Sequence, residues 1–481
     1  MRAKGEITVF LSLSLTIILS LILAIIQSTT DRAMRMRTEI AMEAGIQSVF
    51  AEYNQQLLKQ YDLYFIDDSY FSNKGDVYYT KERLKDYMSY NLNPAKGQMT
   101  LFEKDLFNMS VDDVNILLFS LATDNNAAVY KRQAILAIKD RFGAAVIDNY
   151  KNNKADYDKS GIDNYDVTAK REQTRQKMHD KVDNATDEEG NKISFDDPTK
   201  KIEQQRSGIV SVILNSENIS NETIDNSSLP STRSIKSGNG IVSCKEDLNS
   251  FTNNLLFNEY LCWKFGCYTN QLNKKGIKYE LEYILKNNSS DYENINAIVK
   301  DLLLLRETAN AIYIFKDNTK KEEAKAVATV VAALLFSPEA TDVITAAILF
   351  SWAFAESCVD VKTLLSGGKV PLIKDANSWV LSLPAALTFK AHLSDGMAKS
   401  SGLDYLMYLR LFLATKSDND KVWRSLDLIE KNIKNTEKNA AFKIDNCIEY
   451  LDAEAKVSGR NGYKVSIRRY FGYMSMPAIT L

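Results

Sequence analysis

The chain has 481 residues, 45% apolar and 25% charged, enough material for two or three ordinary globular cores. Lysine and arginine number 60 against 62 aspartates and glutamates, a net charge of −2, so no global field favours nucleic acid and no nucleic-acid partner is expected. Five cysteines, Cys244, Cys262, Cys267, Cys358 and Cys447, are too few for a disulfide scaffold and too scattered for a zinc ribbon; they read as small buried hydrophobes.

Residues 1–30 form the first predicted element, an uncleaved transmembrane anchor. Ile7 to Ile26 is apolar, and no charge occurs between Glu6 and Asp31. As a helix the run spans roughly 30 Å, the thickness of the hydrocarbon layer. It is longer than a secretory leader's apolar region, and Leu23 to Ser28 has bulky residues where a signal peptidase requires small ones. Arg2 and Lys4 precede the run while Arg32, Arg35 and Arg37 follow it, so charge alone does not orient it. Thr8, Ser12, Thr16 and Ser20 recur at four-residue steps, with Ser14 nearby. Such a face permits close helix approach in lipid; equally, the hydroxyls can bond their own backbone. The bilayer is therefore an expected partner, together with other membrane proteins.

Residues 31–61 continue as an amphipathic stalk helix, with Met42, Ile46, Phe50, Tyr53, Leu57 and Tyr61 on one stripe. Residues 62–150 read as a small α/β segment. It holds a strand at Leu63–Ile66, a helix from Thr80 to Asn93 stopped by Pro94, a strand at Val111–Leu121 and a helix from about Ala127 to Phe142. Val111–Leu121 is apolar on both faces, which predicts burial. Residues 151–246 read as a polar insertion with loops. No leucine occurs between Leu136 and Leu214, and Lys151 to Gln205 cannot build its own core, so exposure is expected, with a charged helix around Lys170–Val182. Asn215 to Gly240 reads as loop.

Residues 247–440 read as a helical bundle. Ile277, Leu281 and Ile284 form one stripe, and Ile295, Ile298, Leu302, Leu305, Ala309 and Ile312 a longer one. Ala326–Phe336 and Val343–Ala355 are apolar nearly all round but too short to span a membrane, which predicts a buried helical hairpin. Ser401 to Asp404 has the form of a capping box opening a helix through Leu413, and Val422, Leu426, Ile429 and Ile433 mark another helix. Residues 441–481 read as a β-hairpin, with arms at Leu451–Val457 and Tyr463–Ile467 and a turn at Ser458–Gly462.

Reaction chemistry is sparse. Only His179 and His392 are present, and no HExxH, GxSxG or phosphate-loop pattern occurs, so no catalytic, cofactor-binding or metal residues are assigned. Ser366 to Lys369 reads as a β-turn before a strand, and Asp67-Asp68-Ser69 as a turn. Glu356 and Asp360 lie one helical turn apart and could act as a metal-binding or acid/base pair, but a solvated helix end is the expectation. Arg468 to Tyr473 interleaves basic and aromatic residues, and a sheet edge is expected there.

Lys4-Gly5-Glu6-Ile7-Thr8-Val9-Phe10-Leu11, followed by the apolar helix, resembles the opening of TadE/TadG-type pseudopilins. These are membrane-anchored components of tight-adherence (Tad) pilus machinery within the type IV filament superfamily. Gly5, Thr8, Val9 and Phe10 match the pattern, while the glutamate it carries between the valine and phenylalanine is missing. The resemblance implies a possible processing site at Gly5 and Glu6; the missing carboxylate implies an N-terminus that stays uncut. More widely, Ser48 to Asn54, Gly368 to Leu372, Gly402 to Tyr405, Asp427 to Glu430 and Phe442 to Asp445 resemble an uncharacterised family of clostridial membrane proteins, often encoded among Tad-pilus-like clusters. That resemblance implies a Gram-positive source, a cytoplasmic N-terminus and an extracytoplasmic head.

The expectation is a helix-dominated α+β protein: a transmembrane helix continuing into a stalk, a mixed head with a helical bundle, and a C-terminal β-hairpin. The expected role is a non-enzymatic structural or accessory component of a Tad/type IV-like pilus or secretion apparatus. A surface adhesion or binding module is one alternative, and a membrane-tethered hydrolase using acidic residues is the other.

Overall fold

The computed structural model describes residues 2–70, 77–93, 107–182, 189, 204, 206, 208–214, 219–240, 247–273, 275–388 and 401–474. Cys244, His392 and the last residues of the expected C-terminal segment lie outside them. The protein is α+β and helix-dominated, as its periodicities indicate. It comprises two compact units, each built from separated stretches: 1–134 with 233–248 and 429–481, and 135–232 with 249–428.

In the first unit, α1 runs unbroken over Arg2–Phe50, about 74 Å at 1.5 Å per residue. Its first half exposes apolar side chains all round, from Ile7 to Ile26. From Met34 onward one face is buried: Met34, Ala41, Met42, Ile46, Val49 and Phe50 enter the core. The expected stalk ends earlier than its stripe suggests. Asn54 turns the chain, its side chain accepting from the Gln56 and Leu57 amides to cap a separate short helix, α2 (Gln55–Tyr61). Tyr53 meanwhile pairs with Ile66.

β1 is only Ile66–Asp67. It is followed by α3 (Tyr78–Leu92), β2 (Ser110–Leu121) and the start of α4 (Asp124–Ser160). The remaining strands come from the chain's far end, β3 (Cys447–Ser458) and β4 (Lys464–Gly472). β3 is central and antiparallel to its neighbours. β2 lines one side, with Val114 opposite Ala455, while β4 and β1 share the other, with Leu451 opposite Phe471 and Ile66 opposite Ile448. The turn between β3 and β4 places Asn461 (φ 56°) and Gly462 (φ 76°) in the left-handed region, which these residue types tolerate. β2 is only half-buried, against the expectation of burial on both faces. It flanks β3 rather than occupying the middle of the sheet.

Leu451, Ala453, Ala455 and Val457 pack with the buried face of α1 and with Leu84, Met88 and Leu92 of α3. The contact with α3 is tight: a Cβ added at Gly45 would lie 3.0 Å from Met88 Cγ and 3.1 Å from Leu84 Cδ1.

The second unit holds the rest of α4, then α5 (Val167–Val182), α6 (Ile209–Ile213), α7 (Phe251–Lys264), α8 (Glu280–Lys286), α9 (Asp291–Ile314), α10 (Asn318–Leu334), α11 (Thr341–Leu365), α12 (Leu383–Leu387) and α13 (Tyr405–Thr415). α14 (Asp418–Lys434) begins in this unit and ends in the first. α5 is not an exposed insertion. It packs against α11 and α9, burying Val167, Met178 and Val182, and Arg171 pairs with Glu307. A segment too polar for its own core borrows one from its neighbours. The expected buried hairpin holds for α11, buried along most of its length. α10 rests on α11 through the Ala324, Ala328 and Ala332 stripe, and Val330, Leu334 and the following Phe336 are exposed. Asp404, rather than Ser401, caps α13, accepting from the Met407 amide. Ser366–Gly368 closes α11: Gly368 N–H reaches Thr363 O and Gly367 N–H reaches Leu364 O, with Gly367 at φ 81°.

Replacing Gly45 with leucine is expected to destabilise the first unit by about 1–3 kcal/mol through overpacking against α3. A lowered denaturant midpoint of the detergent-solubilised chain, with the helical circular-dichroism signal of the native state retained, is the expected observation.

Candidate functional site

Two regions bear on function, the exposed half of α1 and a charged cluster inside the second unit. On α1, Thr8, Ser12, Thr16 and Ser20 lie along the exposed apolar half. Ser12 Oγ donates to Val9 O (2.9 Å), Thr16 Oγ1 to Ser12 O (2.7 Å) and Ser20 Oγ to Ile17 O (2.8 Å). These bonds satisfy the hydroxyl protons within the helix and leave oxygen lone pairs facing outward. Gly5 and Glu6 lie within the first turns of the same helix. Where α1 meets the core, the hairpin turn touches it: Asn461 Nδ2 donates to Gln27 Oε1 (3.3 Å), and Gln27 Nε2 to Asp31 Oδ1 (2.9 Å).

Glu356 and Asp360 are not a solvated helix end. α11 continues through Val359, Val361 and Leu364, and both carboxylates are buried, 0% and 2% exposed. Lys374 Nζ donates to Glu356 Oε1 and lies 2.6 Å from Asp360 Oδ1. Arg306 of α9 reaches Asp360 Oδ2 through Nη2 at 3.1 Å, and Asn310 Nδ2 donates to the same oxygen at 3.0 Å. The Val380 and Leu381 amides donate to Glu356 Oε1 and Oε2, each at 2.8 Å. Arg306 Nη1 donates to the carbonyls of Pro371 and Leu372 at 3.0 and 2.8 Å. Two cations and two anions thus cancel while fastening the stretch 371–381 to α9 and α11. Burial pushes the Glu356 carboxyl up, against the pull of Lys374. For Asp360, burial pushes upward, but Lys374 and Arg306 together hold it below the ordinary range.

Sequence reading finds Glu356 and Asp360 but misses Arg306, Asn310 and Lys374. One signal was present: Arg306 and Asn310 continue the Val299, Leu302, Leu303 stripe of α9, so a cation stands at a core position and requires a buried counter-ion.

Burial pushes two further carboxyls, Glu282 and Glu449, up to about 7. Glu282 of α8 accepts from Tyr405 Oη (2.7 Å) and the Tyr268 amide (2.8 Å) at Oε1, while Oε2 has no hydrogen-bond partner among the described residues. Burial pushes it up to about 7, with Tyr405 and the Tyr268 amide pulling the other way. In the first unit, burial likewise raises Glu449 to about 7, opposed by the Met474 amide and Arg132.

The other singled-out residues have local partners. Ser69 N–H donates to Asp67 Oδ1, an Asx turn. Arg468 pairs with Asp452, and Arg469 approaches Glu39 and Glu43 of α1, on a strand that pairs only with β3 among the described residues. His179 is exposed on α5. Cys262, Cys267, Cys358 and Cys447 are free thiols, and no group of three or more His, Cys, Asp or Glu able to hold a metal occurs among the described residues. A small groove of about 30 Å³ is lined by Arg171, Thr174, Arg175, Met178, Ala347, Phe350 and Ser351. Its arginines are engaged, Arg171 with Glu307 and Arg175 with Glu172.

The chain belongs to the family of unknown function DUF5702, whose family model matches residues 187–459, more than half its length. The match includes Arg306, Glu356, Asp360 and Lys374 and excludes α1. No curated protein and no solved structure matches the chain.

Glu282 generates a pH prediction. Its proton is held to about pH 7 in the folded chain, against an ordinary 4.5. Its contribution to stability is therefore full below pH 4.5 and is lost as pH rises toward 7. Glu282→Gln is expected to remove a decline of at most roughly 3 kcal/mol over that window. Unfolding midpoints at pH 5 and pH 8 should converge in the variant relative to the parent.

Proposed function

We propose that this protein is a non-enzymatic, membrane-anchored structural or accessory component of a Tad/type IV-like pilus or secretion apparatus. The supporting observation is the division of α1. One continuous helix carries an exposed apolar half long enough to cross a bilayer and a second half embedded in a helix-on-sheet core. No break in the helix separates them. A lateral force on the membrane segment is transmitted directly to the sheet, which suits a subunit held in an assembly by its helix. The pseudopilin-like opening around Gly5, Thr8, Val9 and Phe10 supports the same reading.

In this proposal the N-terminus is cytoplasmic, the apolar half of α1 crosses the membrane, and the rest of the first unit and the second unit are extracytoplasmic. Protease added to intact protoplasts is expected to digest them; protection until lysis would reverse the topology.

The Thr8, Ser12, Thr16 and Ser20 face is the proposed contact with neighbouring membrane helices. Each interhelical hydrogen bond contributes only about 0.6–2 kcal/mol, so a double substitution is the informative one. Ser12→Leu with Thr16→Leu is expected to reduce crosslinking to neighbouring membrane components while insertion and folding of the units persist. Unchanged association would reduce the segment to a passive tether.

A further inference from the structure

The Lys374, Glu356 and Asp360 cluster has the components of an amide-forming site. A primary amine and two carboxyls meet where the lysine is 3% exposed, Glu356 0% and Asp360 2%. We propose that Lys374 Nζ and Glu356 Cδ condense to an internal amide cross-link, with Asp360 relaying the protons.

Each group has a distinct position for this step. Lys374 Nζ donates to Glu356 Oε1, so the amine adjoins the carboxyl it would attack. Asp360 Oδ1 lies 2.6 Å from the same nitrogen, placed to take a proton from the ammonium and expose the lone pair. Arg306 and Asn310 hold Asp360 through its other oxygen, Oδ2. The Leu381 amide at Glu356 Oε2 is positioned to stabilise the oxyanion as the carbonyl carbon becomes tetrahedral. Oε1, facing the lysine and the Val380 amide, is the oxygen that departs. Trp379 closes the side of Lys374, its ring centre 5.5 Å from Nζ, and its indole N–H is fixed on Leu381 O together with that of Trp352.

The balance is complete without an added reagent. The ammonium and the carboxylate become one amide and one water: the C–N bond forms, the C–Oε1 bond breaks, and two ammonium protons leave with the oxygen through Asp360. One buried cation and one buried anion disappear together, and the Arg306–Asp360 pair remains neutral. Raising of the Glu356 carboxyl by burial favours its neutral, electrophilic form, whereas Asp360 is held ionised as the base. Positioning by α11 and the 371–381 stretch replaces the encounter of two free groups, the effect that makes oriented intramolecular reactions fast. The link would join residues 18 apart in sequence, a covalent closure in a chain whose four described cysteines are unpaired.

The test is high-resolution mass analysis of the full chain, purified in detergent, with fragmentation of a proteolytic digest. The expected result is a population one water below the mass of the unlinked chain, the loss mapping to a branched peptide that joins Lys374 to Glu356. Glu356→Ala and Lys374→Met should each abolish the branched peptide, and Asp360→Asn should slow its appearance after synthesis. The parent chain is decisive whether or not the variants fold. Unmodified Lys374 and Glu356 peptides in full yield after prolonged incubation would overturn the proposal. A branch from Lys374 to Asp360 would also overturn it, since Glu356 would then not be the electrophile.

Discussion

One helix in this protein changes its apolar surface along its length, and the first unit depends on its doing so without a break. α1 shows apolar residues on every side over Ile7–Ile26 and then narrows its apolar surface to a single buried face from Met34. The change from all-round to one-sided hydrophobicity is the physical difference between a helix surrounded by hydrocarbon and one resting on a sheet. The sheet supplies the opposing surface chiefly from β3, whose Leu451, Ala453, Ala455 and Val457 alternate toward α1. Because β3 lies near the far end of the chain, the apolar half of α1 and the C-terminal hairpin are parts of one folding unit.

The second unit is organised by polar as well as apolar constraints. α11 is buried nearly all round, and an ordinary hydrophobic helix in that position would hold its neighbours by packing alone. Instead it carries Glu356 and Asp360, which are viable in the interior only because Arg306, Lys374, Asn310 and two backbone amides meet them. Removing one partner would strand the others at a cost of about 3–5 kcal/mol, whereas the complete set has little net charge to desolvate. Such a set discriminates among packings. Only one placement of the 371–381 stretch puts Lys374 and the Val380 and Leu381 amides on the right oxygens. Small residues do complementary work, since Ala324, Ala328 and Ala332 allow α10 to lie close on the same helix.

Membership of a family of unknown function coincides unevenly with these features. The family match contains the charged cluster, α14 and β3, but not α1, β2 or β4. The matched region therefore draws on both units and completes neither. β3 in particular needs β2 and α1, from outside the match, to cover it.

Local pattern was sufficient for the membrane-length helix, for the charged helix at Val167–Val182, for α14 and for the β3–β4 hairpin, because each rests on periodicity or turn chemistry contained within a short window. It failed wherever a residue's environment came from a distant stretch. The stalk stripe ran past Phe50 because Leu57 and Tyr61 keep the spacing while belonging to a second helix, which Asn54 starts afresh. α5 looked exposed because its buried partners lie on α9 and α11, far along the chain. α10 looked buried because apolar composition does not say which face a neighbour will cover. Glu356 and Asp360 looked solvated for the same reason in reverse: their counter-charges, Arg306 and Lys374, are 54 and 18 residues from the acids they meet. By itself the sequence determined the long helices named above and the C-terminal hairpin, and which helix suits a membrane. Only the tertiary structure decided which charges are buried together, since a buried charge is permitted by its partners and not by its own segment.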